Sequence, residues 1–499
     1  MRQLWFLFII ANFSCAQTAA PLVVHESLAS ARALFKQGKF QEAAAAYRVI
    51  LQQDKSSGPA YAGLVQSYLK LDDVGAAAEA STQAIAELPQ SGLVHAIHGD
   101  VYFRQGLLEE SEAEYKTALK LDDKCARALL GMGRIYSAAS LNQQAKDSFA
   151  QAHQLDPDDG DAWYHWAVLL PYPDSVAELE KQRAEFHSTP DEQRREREFI
   201  DLIKGIAGRE VWVGLTDVSV EIKLELLVPR LGVRRGLGAR VRFNNSATAT
   251  LLVDTGASWM TIPAKLAEKI GARKISSYTI EGVGGSEPAS GYFAWVDKIT
   301  VGDVEFHDCV VHVSPKSSVA EDNGVLGTDI FSKYLLAIDF PARKLRLTAL
   351  PETAVASGEI ENPLKAKAMP KGRAFSFGHL LLLPTKVNQA TQGLFVLDTG
   401  ANASSISPGL AKRAGKLRDS DRHVTGSRGE VNKVSILPDA IMEFAQSAAE
   451  KRDLVAFDWR SLSQQLGVEV AGFIGFDALS RSKISINYRD GWVKVEQSK

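Results

Sequence analysis

The order of apolar and polar residues divides this chain of 499 residues into two regions. Between residues 24 and 171, apolar residues recur at helical spacing, and the pattern repeats at a step of 34 residues (72 − 38). From about residue 217 onward, short apolar or alternating runs are bounded by Gly, Asn, Ser and Pro, as in VEIKLELLV at 220–228. The pattern therefore predicts a helical repeat region followed by a β-rich region.

The repeated positions alternate small and large residues, as closely packed helix pairs require. The step passes through Gly38, Asp72, Gly106 and Ser140, and through Tyr47, Ser81, Tyr115 and Phe149. Gly99 and Gly133 fall where two helices would touch. This pattern resembles the tetratricopeptide repeat (TPR). The resemblance implies an all-α TPR solenoid over residues 24–171, made of four repeats and a closing helix that Pro171 ends.

A solenoid of this kind has a concave surface on which a polypeptide substrate or a protein partner could dock, and a purely structural spacer is the alternative. Basic residues that would grip a C-terminal carboxylate cannot be assigned from the sequence. If the solenoid only docks substrates, deleting residues 24–171 should leave the hydrolysis of short peptides largely intact.

Two charged segments follow the repeats. Residues 172–216 have helix-like spacing and include the run DEQRREREF at 191–199, which predicts a solvated helical linker. The stretch VPRLGVRRGLGARVRF at 228–243 contains five arginines: Arg230, Arg234, Arg235, Arg240 and Arg242. This stretch is either an autoinhibitory segment for an acidic cleft or a solvated strand and loop.

An Asp-Thr-Gly turn ends an apolar strand twice in the β-rich region. The turn residues are Asp254, Thr255 and Gly256 in LLVDTGAS, and Asp398, Thr399 and Gly400 in LFVLDTGAN. The same offset, 398 − 254 = 144, pairs Asn244 with Asn388, Ile262 with Ile406, Leu266 with Leu410 and Gly271 with Gly415. Residues 217–350 and 351–499 are therefore interpreted as two copies of one β-rich lobe.

Two related lobes can bring their equivalent carboxylates together across a pseudo-twofold axis. Two such groups a few ångströms apart cannot both ionise, so one stays protonated while the other is anionic. The anionic member can take a proton from water while the neutral member donates one to a carbonyl oxygen. We expect Asp254 and Asp398 to form this pair, with the glycines allowing close approach and the threonines fixing the turns.

These residues resemble the aspartic peptidases of the retropepsin-like (pepsin and retroviral) kind, with both halves fused in one chain. The resemblance implies an all-β bilobal acid protease fold behind the solenoid. It also implies that Val325-Leu326-Gly327 and Phe473-Ile474-Gly475 pass behind the catalytic turns and support them. Asp329 and Asp477, which follow these glycines, are expected to be structural. Asn402, which follows the second turn, departs from the Ser, Thr or Asp common in the family.

The family also has a glycine-rich hairpin, the flap, that closes over bound substrate. In the first lobe its residues would be Gly282, Val283, Gly284 and Gly285, and in the second lobe Gly426 and Gly429. The glycines suit a mobile hairpin whose backbone approaches a ligand. An ordinary exposed turn is the alternative for both stretches. EGVGG has no flap tyrosine, which favours the retroviral type of the family.

The N-terminal stretch MRQLWFLFIIANFSCAQTAA has the pattern of a secretory signal peptide over residues 1–20, too short to span a membrane. It predicts a secreted, periplasmic or cell-envelope protein; lipid attachment at Cys15 fits the flanking Asn12 and Phe13 poorly. No later segment is apolar enough to span a membrane. After cleavage, Cys125 and Cys309 would remain as buried free thiols.

The net charge of −3 gives no case for a nucleic acid partner. No metal-ligand cluster, serine triad or phosphate loop appears, so we expect no cofactor and no metal. The histidines are scattered, and none receives a function. The sequence thus predicts an aspartic endopeptidase with a monomeric catalytic unit and a TPR region that docks a substrate or partner. A non-catalytic peptide-binding scaffold of the cell envelope is the alternative, and pairing of lobes between two chains is not required.

Overall fold

The computed structural model describes residues 20–214, 219–227, 236–280, 289–314, 324–350, 372–389, 391–421, 424–426, 429–431 and 434–497. The predicted signal peptide up to residue 19, the predicted flap residues Gly282 to Gly285, and Arg230, Arg234 and Arg235 lie outside these ranges. Among the described residues, no helix combines the length and the apolar character that crossing a membrane would need.

The N-terminal region is a stack of antiparallel helices. They are α1 (Ala20–Lys36), α2 (Phe40–Gln53), α3 (Gly58–Lys70), α4 (Val74–Glu87), α5 (Gly92–Arg104), α6 (Leu108–Leu121), α7 (Ala126–Ala138), α8 (Asn142–Leu155) and α9 (Gly160–Val168). Gly99 and Gly133 lie at close helix contacts, as predicted. A side chain at Gly99 would collide with the ring of Tyr115, and one at Gly133 with the ring of Phe149. Cys125 is buried and unpaired in this region, as Cys309 is in the β-rich region.

The segment after the repeats is helical but is not a solvated linker. It forms α10 (Asp174–Glu185) and α11 (Pro190–Ile206), the second of which begins with a capping box between Thr189 and Glu192. Val176, Leu179 and Ile200 are buried together with Ala167 of α9. Most charged residues of the run are half-buried rather than solvated, so the apolar stripe that follows them was the stronger signal.

The β-rich region begins with the strands of the first lobe. They are β1 (Val213–Gly214), β2 (Val220–Leu227), β3 (Gly236–Phe243), β4 (Ala247–Asp254), β5 (Met260–Pro263), β6 (Arg273–Ile280), β7 (Ala289–Val301), β8 (Val304–Ser314), β9 (Val325–Gly327), β10 (Tyr334–Asp339) and β11 (Lys344–Ala349). Helix α12 (Ala264–Lys269) follows β5, and a 3₁₀ turn at Thr328–Phe331 follows β9. Arg240 and Arg242 lie on the exposed side of β3.

The second lobe repeats this order. Its strands are β12 (Gly372–Arg373), β13 (Phe375–Phe377), β14 (Leu380–Val387), β15 (Thr391–Leu397), β16 (Ser405–Ile406), β17 (Arg418–Asp419), β18 (Val424–Gly426), β19 (Gly429–Val431), β20 (Ser435–Phe444), β21 (Ser447–Ala456), β22 (Gly472–Ile474), β23 (Ser482–Asn487) and β24 (Trp492–Gln497). Its helices are α13 (Pro408–Ala414), α14 (Arg460–Leu466) and α15 (Phe476–Leu479).

One sheet joins the lobes. Strand β10 of the first lobe pairs antiparallel with β23 of the second, with Leu336 opposite Ile486 and Ile338 opposite Ile484. These strands occupy equivalent places in the two lobes, so the pairing lies on the pseudo-twofold axis. A single cluster of buried apolar residues extends through both lobes. The two halves are therefore held rigidly enough to fix a site between them.

The solenoid and α11 pack on the lobes rather than standing apart from them. Phe103 and Ala139 of the repeats share a buried cluster with Phe375 and Val470 of the second lobe. The backbone N–H of Glu469 donates to the carbonyl oxygen of Arg104 at 2.8 Å. On the other side, Leu202 of α11 is buried against the first lobe.

Candidate active site

The two Asp-Thr-Gly turns are formed in the same way in each lobe. Asp254 ends β4, which pairs in parallel with β9, and β9 also pairs with β5 beyond the turn. In the second lobe Asp398 follows β15, and β22 makes the equivalent pairs with β15 and β16. The supporting segments predicted at 325–327 and 473–475 thus pass directly behind the turns.

The two carboxyl groups lie close together between the lobes, each against the glycine of the opposite turn. Gly256 lies against the Asp398 carboxyl group, and Gly400 lies against that of Asp254. Any side chain at either glycine would collide with the opposite carboxylate. The glycines are therefore required by the close approach of the two turns.

The threonines tie the turns together with reciprocal hydrogen bonds. The backbone N–H of Thr255 donates to Thr399 Oγ1 at 3.1 Å, and that of Thr399 donates to Thr255 Oγ1 at 3.0 Å. In turn, Thr255 Oγ1 donates to the carbonyl oxygen of Leu397 at 2.7 Å, and Thr399 Oγ1 to that of Val253 at 2.9 Å. Both threonines are buried, so water cannot replace these partners.

Burial raises the pKa of both carboxyl groups of the Asp-Thr-Gly turns, and repulsion by Asp398 raises the pKa of Asp254 further, well above 3.8. The backbone donors are divided unequally between them. Asp398 Oδ1 accepts the N–H groups of Gly400 at 2.9 Å and Ala401 at 2.8 Å, whereas Asp254 Oδ1 accepts that of Gly256 at 2.7 Å. The pKa of Asp254 is raised further than that of Asp398, so we assign the proton of the pair to Asp254.

Asp329 and Asp477 make structural hydrogen bonds behind the turns. Asp329 Oδ1 accepts the backbone N–H of Trp259 at 2.8 Å, and burial raises the pKa of Asp329 to about 7. Asp477 Oδ1 accepts the N–H of Ser404 at 2.8 Å, and its other oxygen pairs with Lys451 Nζ at 2.9 Å. Both carboxyls fix the chain just after an Asp-Thr-Gly turn, so their role is structural, as expected, but is not to end a strand or cap a helical turn.

Two histidines beside the first turn were missed by the sequence reasoning. His379 Nε2 lies 3.3 Å from the carbonyl oxygen of Gly256 and, because that oxygen can only accept, must be the donor. His312 Nε2 lies 3.1 Å from Ser258 Oγ. Burial lowers the pKa of both rings, that of His312 to about 4, so both are neutral near pH 7. No spacing in the sequence signals their place, because the fold brings His312 to the turn from β8 and His379 from the loop between β13 and β14.

The flap prediction falls partly on residues that the structure describes. Strands β6 and β7 pair up to Ile280 and Ala289, on either side of the first predicted flap loop, which itself lies outside the described residues. In the second lobe Gly426 pairs with Gly429 in the two-stranded hairpin of β18 and β19. Whether either hairpin contacts a substrate stays a prediction.

Comparison with known protein families gives separate matches for the repeat region and for the first lobe. A family model for aspartyl proteases matches residues 239–330, which include Asp254 and its supporting segment. Two tetratricopeptide repeat models match residues 34–101 and 98–160. The chain contains tetratricopeptide repeats followed by an aspartyl protease domain. The protease match lies in the first lobe, and the second lobe is related to it by the 144-residue offset and the same strand order.

Comparison with whole proteins adds little to the aspartyl protease assignment. A crystal structure of a thermophilic TPR protein from Thermus thermophilus is 21% identical to the chain, with a TM-score of 0.28, and the match covers 35% of this chain and 97% of that protein. No curated protein sequence matches the chain. In the described residues of the aspartyl protease domain and the repeats, no group of three or more His, Cys, Asp or Glu is arranged to hold a metal ion.

Proposed function

We propose that the protein is an aspartic endopeptidase that hydrolyses peptide bonds by activating water between Asp254 and Asp398. The observation that supports the proposal most directly is the close approach of two carboxyl groups, one from each of two turns that hydrogen-bond to each other. Such a pair holds one proton and one negative charge, which is the combination of acid and base that addition of water requires.

In the proposed reaction, Asp398 takes a proton from a water molecule while the oxygen of that water bonds to the carbonyl carbon of the peptide. Asp254 donates its proton to the carbonyl oxygen, which gives a neutral tetrahedral diol. Collapse of the diol breaks the C–N bond as Asp398 returns its proton to the leaving nitrogen. Asp254 recovers a proton from the diol hydroxyl, and the pair is restored.

The test is hydrolysis of an unfolded polypeptide in water enriched in ¹⁸O. Hydrolysis by any route places a solvent oxygen in each new C-terminal carboxylate, which mass spectrometry reads. Direct attack by water, with no acyl-enzyme, further predicts that added hydroxylamine gives no hydroxamate product and that a statine inhibitor blocks cleavage. Cleavage that the statine leaves untouched but a covalent serine or cysteine reagent abolishes would refute the proposal.

We also propose that the protein is exported, because residues 1–20 combine Arg2, a short apolar core and small residues before the cleavage positions. Mass spectrometry of the protein recovered from its native cells should find a mature N-terminus after Ala16 or Ala20. An intact Met1 would contradict export by cleavage of this segment.

A further inference from the structure

A cavity of about 940 Å³ lies between the concave side of the solenoid, α11 and the two lobes. Its wall includes Leu69 and Phe103 from the repeats, Glu192 from α11, Thr279 from the first lobe, and Phe377 and Leu462 from the second. The volume is at the upper end of the range of ligand sites in proteins. The cavity is therefore large enough for several side chains of an extended polypeptide.

Two stretches of the cavity wall continue along the chain to the first predicted flap and to the histidine beside the first turn. Thr279 is the last residue but one of β6, the strand that leads to the first predicted flap. Phe377 and Gly378 immediately precede His379, which donates to the catalytic turn at Gly256. A polypeptide that occupies the cavity can thus be the same molecule whose peptide bond lies between the carboxyl groups.

The charges on the wall are balanced and paired with each other. Among the residues that the structure describes, the wall contains six basic residues (Lys70, Arg104, Arg127, Arg134, Arg194 and Arg195) and six acidic residues (Asp72, Asp100, Asp161, Asp191, Glu192 and Asp458). Arg127 contacts Asp100 at 2.6 Å and Asp159 at 3.0 Å, Lys70 contacts Asp161 at 3.4 Å, and Arg104 pairs with Asp72. A ligand carboxylate would have to displace an existing partner of these cations, which is costly where the ions are buried.

Apolar side chains that are only half-buried complete the wall. They are Phe35, Leu69, Leu71, Phe377, Leu462 and Leu466. A folded ligand protein buries its apolar side chains in its own core. An unfolded segment leaves them free to contact the apolar residues of the wall. The wall therefore suits an apolar, extended segment better than a strongly charged one.

We propose that this cavity is an exosite for an unfolded, mostly apolar segment of the polypeptide that is cleaved between Asp254 and Asp398. The claim that the bound molecule is a substrate depends on the proposed endopeptidase function, whereas the claim that the cavity binds such a segment does not. The exosite makes long unfolded polypeptides better substrates than short peptides with the same cleavage sequence.

The test compares two variants of the full chain, each with one glutamine replaced by tryptophan. Gln465 is exposed on the cavity wall, so Gln465→Trp would fill part of the cavity. Gln52 is exposed on α2 and is not among the cavity-lining residues, so Gln52→Trp is the matched control. The readout is the ratio of kcat/KM for a long unfolded polypeptide to kcat/KM for a short peptide with the same cleavage sequence.

The exosite predicts that Gln465→Trp lowers this ratio about tenfold, that Gln52→Trp leaves it unchanged, and that added salt has little effect on it. An unchanged ratio in Gln465→Trp, or a steep fall with salt, would overturn the exosite. Binding of the long polypeptide to Asp254→Asn protein, measured by fluorescence anisotropy with and without Gln465→Trp, separates the two proposals. Weaker binding with Gln465→Trp supports the exosite even if no variant cleaves, and equal binding refutes it.

Discussion

Thr399 joins the two lobes through one hydroxyl group, which accepts the N–H of Thr255 and donates to the carbonyl oxygen of Val253. Thr399→Val keeps the shape of the side chain but leaves both buried partners unsatisfied. We expect it to lower the free energy of unfolding by about 2 kcal/mol or more, measured by urea denaturation. Thr399→Ser keeps the hydroxyl and serves as the control; equal stability of the Val and Ser variants would contradict the role given to this hydroxyl.

The pH profile follows from the raised pKa of Asp254. Because burial and repulsion by Asp398 raise this pKa, the proton needed on Asp254 is lost only as the pH rises well above 3.8, the ordinary value. Measured kcat/KM should therefore rise on an acid limb as Asp398, whose pKa is also raised, loses its proton, and should fall on an alkaline limb well above pH 3.8 as Asp254 loses its own. An alkaline limb centred at or below pH 3.8, in a protein that circular dichroism finds folded, would contradict this assignment.

The raised pKa of Asp329 makes the folded protein less stable as the pH rises. Its folded-state pKa of about 7 lies above the unfolded value, so the folded protein binds an extra proton between pH 3.8 and about 7. The stability that it contributes is present below pH 3.8 and is lost as the pH rises through about 7. This loss is a cost of placing a carboxyl behind the catalytic turn, where its oxygen holds Trp259 in place.

At the scale of elements, α11 holds the strand that leads to the first predicted flap. Glu198 Oε1 accepts the backbone N–H of Thr279 at 3.0 Å and the hydroxyl of Thr279 at 2.8 Å. Gly205 lies directly against Ile275 of the same strand, with no room for a side chain. The base of the hairpin is thus fixed by a helix that belongs to the solenoid side of the molecule.

Removing the Glu198 carboxylate should loosen this strand while the apolar contacts of α11 remain. We expect Glu198→Ala to raise KM for a peptide substrate up to about tenfold with a smaller change in kcat, because two hydrogen bonds that position the hairpin are lost. Glu198→Gln keeps the acceptor oxygen and should stay close to wild type. The same KM in both variants would mean that α11 does not position the hairpin.

The elements themselves were largely predictable from local patterns. The 34-residue step located the helix pairs, and Asp-Thr-Gly with a following apolar-apolar-Gly segment located the turns at Asp254 and Asp398. These signals are local because each depends on spacing along one element. The apolar stripe of α11 was overlooked because the run DEQRREREF dominates its composition.

Contacts between distant segments could not be predicted in this way. Nothing in the sequence pairs Glu469 with Arg104 or places His379 beside Gly256, because these contacts depend on how complete elements pack. The same holds for the pairing of β10 with β23, which joins the lobes in one sheet. Side chains that converge through packing alone have no sequence spacing of their own.

For the whole molecule, the core shared by the solenoid and the second lobe changes the expected effect of deleting the repeats. Phe103 and Ala139 of the solenoid are buried against the second lobe, so deleting residues 24–171 would expose apolar surface there. Such a deletion would lower the stability of the protease lobes as well as remove the repeats. Point substitutions in the cavity are therefore better probes of substrate docking than truncation.

The central claim is that two lobes form one catalytic site from Asp254 and Asp398. The most direct test measures hydrolysis of one unfolded polypeptide by wild type, Asp254→Asn and Asp398→Asn, each with its urea unfolding curve. Each asparagine removes a titrating group of the pair, so each variant should lose at least about a thousandfold in kcat while remaining folded. Full activity in either folded variant would contradict the account, because a site that needs both carboxyl groups cannot work with one.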